Sequence, residues 1–260
     1  MLAHGSLVGI LVLFGTGFLA SIFGALVGLG GGFLIIPILR LLFNVAPAVA
    51  AGNSLLFVLA NTIGASITYL RRGVVDVRRG VTIAIAGIPT SVLGAYVVRQ
   101  VKPATFDTIY GAFLVALAIM VIVRGNREPK PRLTSPRVQI LLEIAAGIFL
   151  GFFSSFFGIG GGIVMVPTLL MFFGMPVHVV SATSSFVVML TSPVGVITHA
   201  LYGHIVLTIG LPLVAGGLVG GSLGAYLAKH VSRERLTSLL AGGLILAAIA
   251  LAVRHLAHLG

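Results

Sequence analysis

The 260-residue sequence contains no cysteine and no tryptophan. Without cysteine it forms no disulfide, thiolate metal site or cysteine nucleophile. Charge is also scarce: Asp, Glu, Lys and Arg make up 8% of the chain, against roughly 25% in a soluble domain. The five acids are Asp76, Asp107, Glu128, Glu143 and Glu234, all in or beside expected loops. A divalent cation needs several oxygen ligands, and a Ser-His-acid triad needs its acid. The interior therefore offers neither, and no metal or cofactor is expected. In place of charge the chain is 58% hydrophobic, with a mean hydropathy of +1.18. Its formal net charge of +11 comes from 16 Lys and Arg in short clusters between long apolar runs. A nucleic-acid partner would need a basic face on a water-soluble fold. The clusters are instead the pattern of a multi-pass membrane protein with basic loops, whose surroundings are a lipid bilayer.

The residues before the first apolar stretch, MLAHGS, include no Lys or Arg. A signal peptide begins with a basic region, so Leu7–Phe23 is expected to remain a membrane helix.

Sliding the sequence by 130 residues superposes it on itself. GLGGGFLIIP at Gly28–Pro37 meets GIGGGIVMVP at Gly158–Pro167, and without a gap Ser54 meets Ser184, Gly73 meets Gly203 and LGAY at Leu93–Tyr96 meets LGAY at Leu223–Tyr226. Internal duplication of this kind is common in secondary transporters, whose substrate sites lie between the repeats. The expected organisation is a first transmembrane repeat over 1–124, a polar, basic, Pro-rich linker over 125–138 and a second repeat over 139–260.

The first repeat reads as a helix at Leu7–Val27, a break at Gly28–Gly32 and a short helix at Phe33–Phe43. Helices at Val49–Leu70, Val81–Val98 and Thr105–Val123 follow. The short helix cannot cross a hydrocarbon core of ~30 Å at ~1.5 Å per residue. Val49–Leu70 is expected to be interrupted near Gly52-Asn53-Ser54. The second repeat reads as Gln139–Phe157, Ile163–Phe173, Val179–Tyr202, Leu207–Ala228 and Arg235–Val253. Counting the short helices puts the halves in opposite orientations; ignoring them makes the halves parallel. Under the first count one side keeps only Arg40, Arg99, Lys102 and Arg254, and the other collects the remaining twelve of the 16 basic residues. That is the more lopsided split, and the positive-inside rule favours it. An inverted repeat with both termini outside is the expectation.

Several features could carry chemistry. Gly30, Gly31 and Gly32, and their counterparts Gly160, Gly161 and Gly162, should stop a helix, because glycine costs about 1 kcal/mol relative to alanine there. The helix that restarts after them presents free amides and a positive dipole end, which suits an anion. The competing reading is close helix packing through small residues. Asn53 and Ser54, with Thr183 and Ser184 at the equivalent positions, can cap a helix or hydrogen-bond an oxyanion. His199, whose counterpart is Tyr69, lies inside a span and titrates near neutral pH, making the pair candidates for proton coupling. His178 and His204 read as loop or interface residues, and Glu143 as an interfacial carboxylate near the basic linker. No buried carboxylate is expected.

The duplicated GxGGGxxxxP, the following Asn53-Ser54 and Thr183-Ser184, and the Tyr69–Gly73 and His199–Gly203 pairs resemble the sulfite exporter TauE/SafE family of membrane permeases over nearly the whole chain. The resemblance implies a permease of the bacterial inner membrane that moves a small anion such as sulfite, sulfoacetate or another organosulfonate. The expected fold is an all-α integral membrane protein of two homologous helical repeats, with about eight full spans plus short broken helices. The expected function is secondary transport of a small anion, with a coupling proton or ion as a further partner. An anion channel using the same site is the first alternative. A membrane-embedded enzyme is the second, disfavoured by the missing acids and cysteines.

Overall fold

The computed structural model describes residues 5–27, 30–124, 135–227, 238, 241–243 and 245–246. Among these, all regular structure is helical: α1 Leu7–Val27, α2 Gly32–Leu42, α3 Pro47–Arg71, α4 Val77–Val98, α5 Pro103–Arg124, α6 Pro136–Phe157, α7 Gly162–Phe172, α8 Val177–Leu201 and α9 Leu207–Leu227. Seven of them are long and apolar enough to cross a membrane. The chain is therefore an all-α, multi-pass membrane protein. Gly28, Leu29, most of the linker and most of the expected last helix Arg235–Val253 lie outside the described residues. Residues 238, 241–243, 245 and 246 within that helix are helical.

Local sequence explains the boundaries. Pro47 and Pro136 open α3 and α6 at the first helical turn, where the missing N–H is not needed. Asp76 caps α4, its carboxylate accepting the Arg79 N–H at 3.1 Å. Glycines with positive φ, Gly73 and Gly203, turn the chain after α3 and α8. The bounds of α2 and α7 are offset by 130 residues, as are those of α3 and α8.

The expected interruption at Gly52-Asn53-Ser54 is absent; α3 runs unbroken to Arg71. The polar side chains there are satisfied without opening the helix. Asn53 Nδ2 donates to Val49 O at 2.8 Å, one turn back, and Ser54 Oγ reaches out to neighbouring glycine carbonyls. The α8 helix is likewise continuous through Thr183 and Ser184.

Glycine stripes bring helices into backbone contact. A Cβ on Gly216, Gly220 or Gly224 of α9 would lie 2.5 Å from the carbonyl of Phe14, Phe18 or Ile22 of α1. The contacts climb together, so α1 and α9 run parallel. In the same way Gly147 of α6 meets Ile83 of α4, and Phe152 meets Gly94. This is the small-residue packing that membrane helices use in place of a hydrophobic drive. Between α3 and α8 the register falls: Gly52 faces His199, Leu55 faces Gly195, and Val58 meets Val188 at Gly160. Those two central helices are antiparallel. The α5 helix runs antiparallel to α6 through an aromatic stack, with Phe106 and Phe113 against Phe156 and Phe153. Its Tyr110 hydroxyl donates to Phe33 O of α2 at 3.2 Å.

These directions gather Arg71, Arg72, Arg78, Arg79 and Arg137 at one end of the bundle, and Arg40, Arg99 and Lys102 at the other.

Candidate functional site

The two glycine breaks meet at the middle of α3. Gly30 and Gly31 sit at φ 77 and 76, Gly160 and Gly161 at φ 80 and 66. A side chain is strained in that left-handed region, and glycine is not. Gly32, the first residue of α2, packs so closely that its Cβ would lie 2.6 Å from Gly158 O and 2.9 Å from Ile159 Cα. Gly30 and Gly160 both abut the same Val58 methyl. So the N-termini of α2 and α7 converge at mid-depth with Val58 wedged between the breaks. The glycines there serve close approach as well as backbone conformation.

Side chains of α3 tie the breaks down. Ser54 Oγ lies 2.7 Å from Gly158 O and 3.2 Å from Gly32 O, joining both breaks through one hydroxyl. Asn61 Nδ2 donates to Gly30 O at 2.7 Å, and Ser21 Oγ lies 2.9 Å from Asn61 Oδ1. Ser184, at the position matching Ser54, is fully buried.

Asn53 and Thr183 do not point at the breaks. Asn53 Oδ1 accepts the Val206 N–H at 3.1 Å, and Thr183 Oγ1 accepts the Asp76 N–H at 3.0 Å. Residues 53 and 183 are 130 apart, and so are 76 and 206; each half supplies the acceptor for the other's loop. Neither residue caps a helix.

Tyr69 and His199 also make matching bonds. Tyr69 OH donates to Ala25 O at 2.9 Å, and His199 Nε2 lies 2.9 Å from Ser155 O. A carbonyl only accepts, so Nε2 carries a proton. His199 Nδ1 then accepts from His204 Nδ1 at 2.9 Å. His204 is not a free loop residue: it is buried, and its carbonyl accepts from Asn53 Nδ2 at 3.1 Å. Burial first, and the Arg99 charge second, hold its imidazole below the ordinary value near 6.5. Arg99 stacks over Tyr202, 4.8 Å from the ring centre, beside this pair.

Buried charge is where sequence reasoning fell short. Arg40, in the last turn of α2, and Asp107, near the start of α5, form a fork: Nε to Oδ1 at 2.9 Å and Nη2 to Oδ2 at 2.6 Å, with Nη1 donating to Val45 O. Glu143 is not interfacial. The α6 helix begins at Pro136, a turn earlier than expected, so Glu143 lies two turns in and is fully buried. Arg79 of α4 reaches it, Nε to Oε1 at 3.3 Å. The available signal was a lone Arg inside the apolar run of α2, whose counterpart is Leu170. Among the described residues, no His, Cys, Asp and Glu cluster fit for a metal ion occurs.

The family described as sulfite exporter TauE/SafE has a sequence model that matches residues 13–251. The probable membrane transporter protein YunE of Bacillus subtilis is 30% identical over 252 residues, covering 88% of this chain and 92% of its own length. A probable membrane transporter protein of Xylella fastidiosa is 29% identical over 253 residues, 94% of each chain. One of Methanocaldococcus jannaschii is 29% identical over 240 residues, covering 86% of this chain and 88% of its own. No solved structure matches the chain.

Proposed function

The chain belongs to the sulfite exporter TauE/SafE family of membrane transporters, and from that premise we propose that it is a secondary transporter of a small anion, a sulfur oxyanion or organosulfonate such as sulfite or sulfoacetate. The bound position is mid-depth, between two inverted repeats, where α2 and α7 begin. Both termini lie outside the cell on the positive-inside rule, and membership of the family supports the bacterial inner membrane as the location.

The observation that carries this reading is the convergence of two helix N-termini at Gly30–Gly32 and Gly160–Gly162, with Val58 between them. Each helix end contributes about half a positive charge. Two ends therefore match one monovalent oxyanion without a fixed cation, and the buried Arg40 sits at the far end of α2. A full ion pair in a low dielectric would hold the anion too tightly for release. In the described state the Val58 methyl occupies the junction, so binding requires α3 or α8 to shift and draw it back. That is a change between states with different access, as a carrier needs. The antiparallel α3 and α8, and the exchanged bonds of Asn53 and Thr183, support an inverted pair of halves. His199 and Tyr69 stand as candidates for moving a coupling proton, with His204 as the immediate partner of His199.

The test is flux in proteoliposomes. Uptake of labelled sulfite and sulfoacetate should saturate and show counterflow, and Ser54→Ala should weaken binding about 5- to 30-fold, the loss of a hydrogen bond in a site for a charged group. Flux that neither saturates nor exchanges would make the protein a channel. Failure to bind either anion at any pH would remove the assignment.

A further inference from the structure

At the basic end of the bundle Asp76, Arg79 and Glu143 form a charge cluster that the midplane site does not use. Arg79 Nη1 holds Asp76 Oδ2 at 2.9 Å, and its Nε lies 3.3 Å from Glu143 Oε1. That second contact is too poorly aligned for a hydrogen bond. Both Glu143 oxygens and Arg79 Nε are buried without a hydrogen-bond partner. A carboxylate buried without donors is costly in low dielectric. A proton, or a better-placed cation, removes that cost.

The cluster touches four elements. Asp76 N–H binds Thr183 of α8, Arg79 belongs to α4, Glu143 to α6, and the guanidinium lies over the ring of Phe173, 5.0 Å from its centre, at the C-terminus of α7. The α7 helix thus runs from the glycine break at Gly161 to the underside of Arg79, about 16 Å at 1.5 Å per residue. The positions 130 residues away are apolar: Val206 for Asp76, Ile209 for Arg79, Leu13 for Glu143 and Phe43 for Phe173.

We propose that Arg79 is the docking site for the anion at the basic end, and that Glu143 couples its entry to one proton by competing with the anion for the guanidinium. This rests on the anion transport proposed above. With Glu143 ionised, its carboxylate holds the Nε side of the guanidinium against an anion. A proton from water on that side, taken up by Glu143, removes that competitor. Arg79 Nη1 stays on Asp76 and Nη2 on Gln139 Oε1 at 3.4 Å, so the buried Nε, without a hydrogen-bond partner, is the donor an oxyanion takes once Glu143 draws aside. The anion and the proton enter together, and the pair is electroneutral. The charged groups acting on Glu143 are Arg79, Arg78 and Asp76; α7 and α8 present Phe173 and Thr183, which do not titrate.

The test is equilibrium binding of methanesulfonate to the purified full chain between about pH 5 and about pH 8. This sulfonate keeps its single charge throughout, whereas sulfite takes up a proton itself. One linked proton makes wild-type affinity about tenfold weaker for each pH unit above the titration of Glu143. Glu143→Gln, which keeps shape, should bind tightly with no such slope. Glu143→Gln leaves the His199–His204 pair intact, so this comparison separates the two. Arg79→Gln combined with Glu143→Gln leaves no buried charge unpaired there and should lose at least tenfold of that affinity. A slope that survives in Glu143→Gln overturns the inference, as does a flat wild-type profile or a double variant that binds like the single one. In those cases the midplane site stands. If wild type binds neither methanesulfonate nor sulfite at any pH, the anion-transport reading falls and this inference with it.

Discussion

Removing the Asp107 carboxylate should uncouple α2 from α5. Arg40 is 2% exposed and Asp107 8%, and two short bonds join them in a fork. Asp107→Ala takes two charge-assisted hydrogen bonds from a buried guanidinium. Breaking one side of a buried pair costs about 3–5 kcal/mol, whereas replacing both sides by apolar groups is often neutral or better. At roughly 2–4 °C per kcal/mol for a chain of this size, Asp107→Ala should lower Tm by about 6–20 °C. The double variant Arg40→Met, Asp107→Leu should recover most of that loss, although Val45 O loses its donor. The measurement is thermal unfolding of the purified protein in one detergent, completed as a double-mutant cycle. Because α2 carries the first glycine break at its other end, the single variant should also weaken anion binding and the double variant restore it in part. A drop below about 2 °C for the single variant, or a double variant no more stable than the single, would refute the reasoning.

Two further outcomes follow from packing and titration. Gly151→Ala should cost about 1–3 kcal/mol, because its Cβ would press on Gly87 O and Thr90 Oγ1. Gly111→Ala, with nothing within 4 Å, should be neutral or stabilising by up to about 1 kcal/mol; equal Tm values for the two would contradict the backbone contact. The His204 imidazole is held below its ordinary value near 6.5, so the folded state binds its proton less readily than the unfolded chain does. Its contribution is complete above about 6.5 and is lost as pH falls through the folded value. Wild type should therefore lose more Tm than His204→Asn between about pH 8 and about pH 5, and equal losses would remove the titration argument.

Much of the architecture was legible because it depends on local order. Apolar run lengths define the spans, and the glycines at Gly31 and Gly161 mark where the short helices start, whereas α3 and α6 open at Pro47 and Pro136, ahead of the expected Val49 and Gln139. The interruption expected at Gly52-Asn53-Ser54 misled, since polar residues signal a break only when their partners are unknown. The carbonyls of Gly158 and His204 that hold Ser54 and Asn53 are about 100 to 150 residues away in the chain. Periodicity in α3 does not reveal them.

Composition and the 130-residue register by themselves determined a helical membrane protein, the positions of its broken helices and the glycines at their starts, because each follows from hydropathy or from backbone freedom at single residues. Only the tertiary structure decided which charges are buried. Glu143 looks like a surface residue beside a basic linker, yet α4 and α6 meet through glycine so closely that its side chain is enclosed, with Arg79 reaching in to it. It also decided that the two breaks touch, with Val58 between them. Those facts depend on how far apart helix axes pack, which is set by pairs of residues far apart in the sequence.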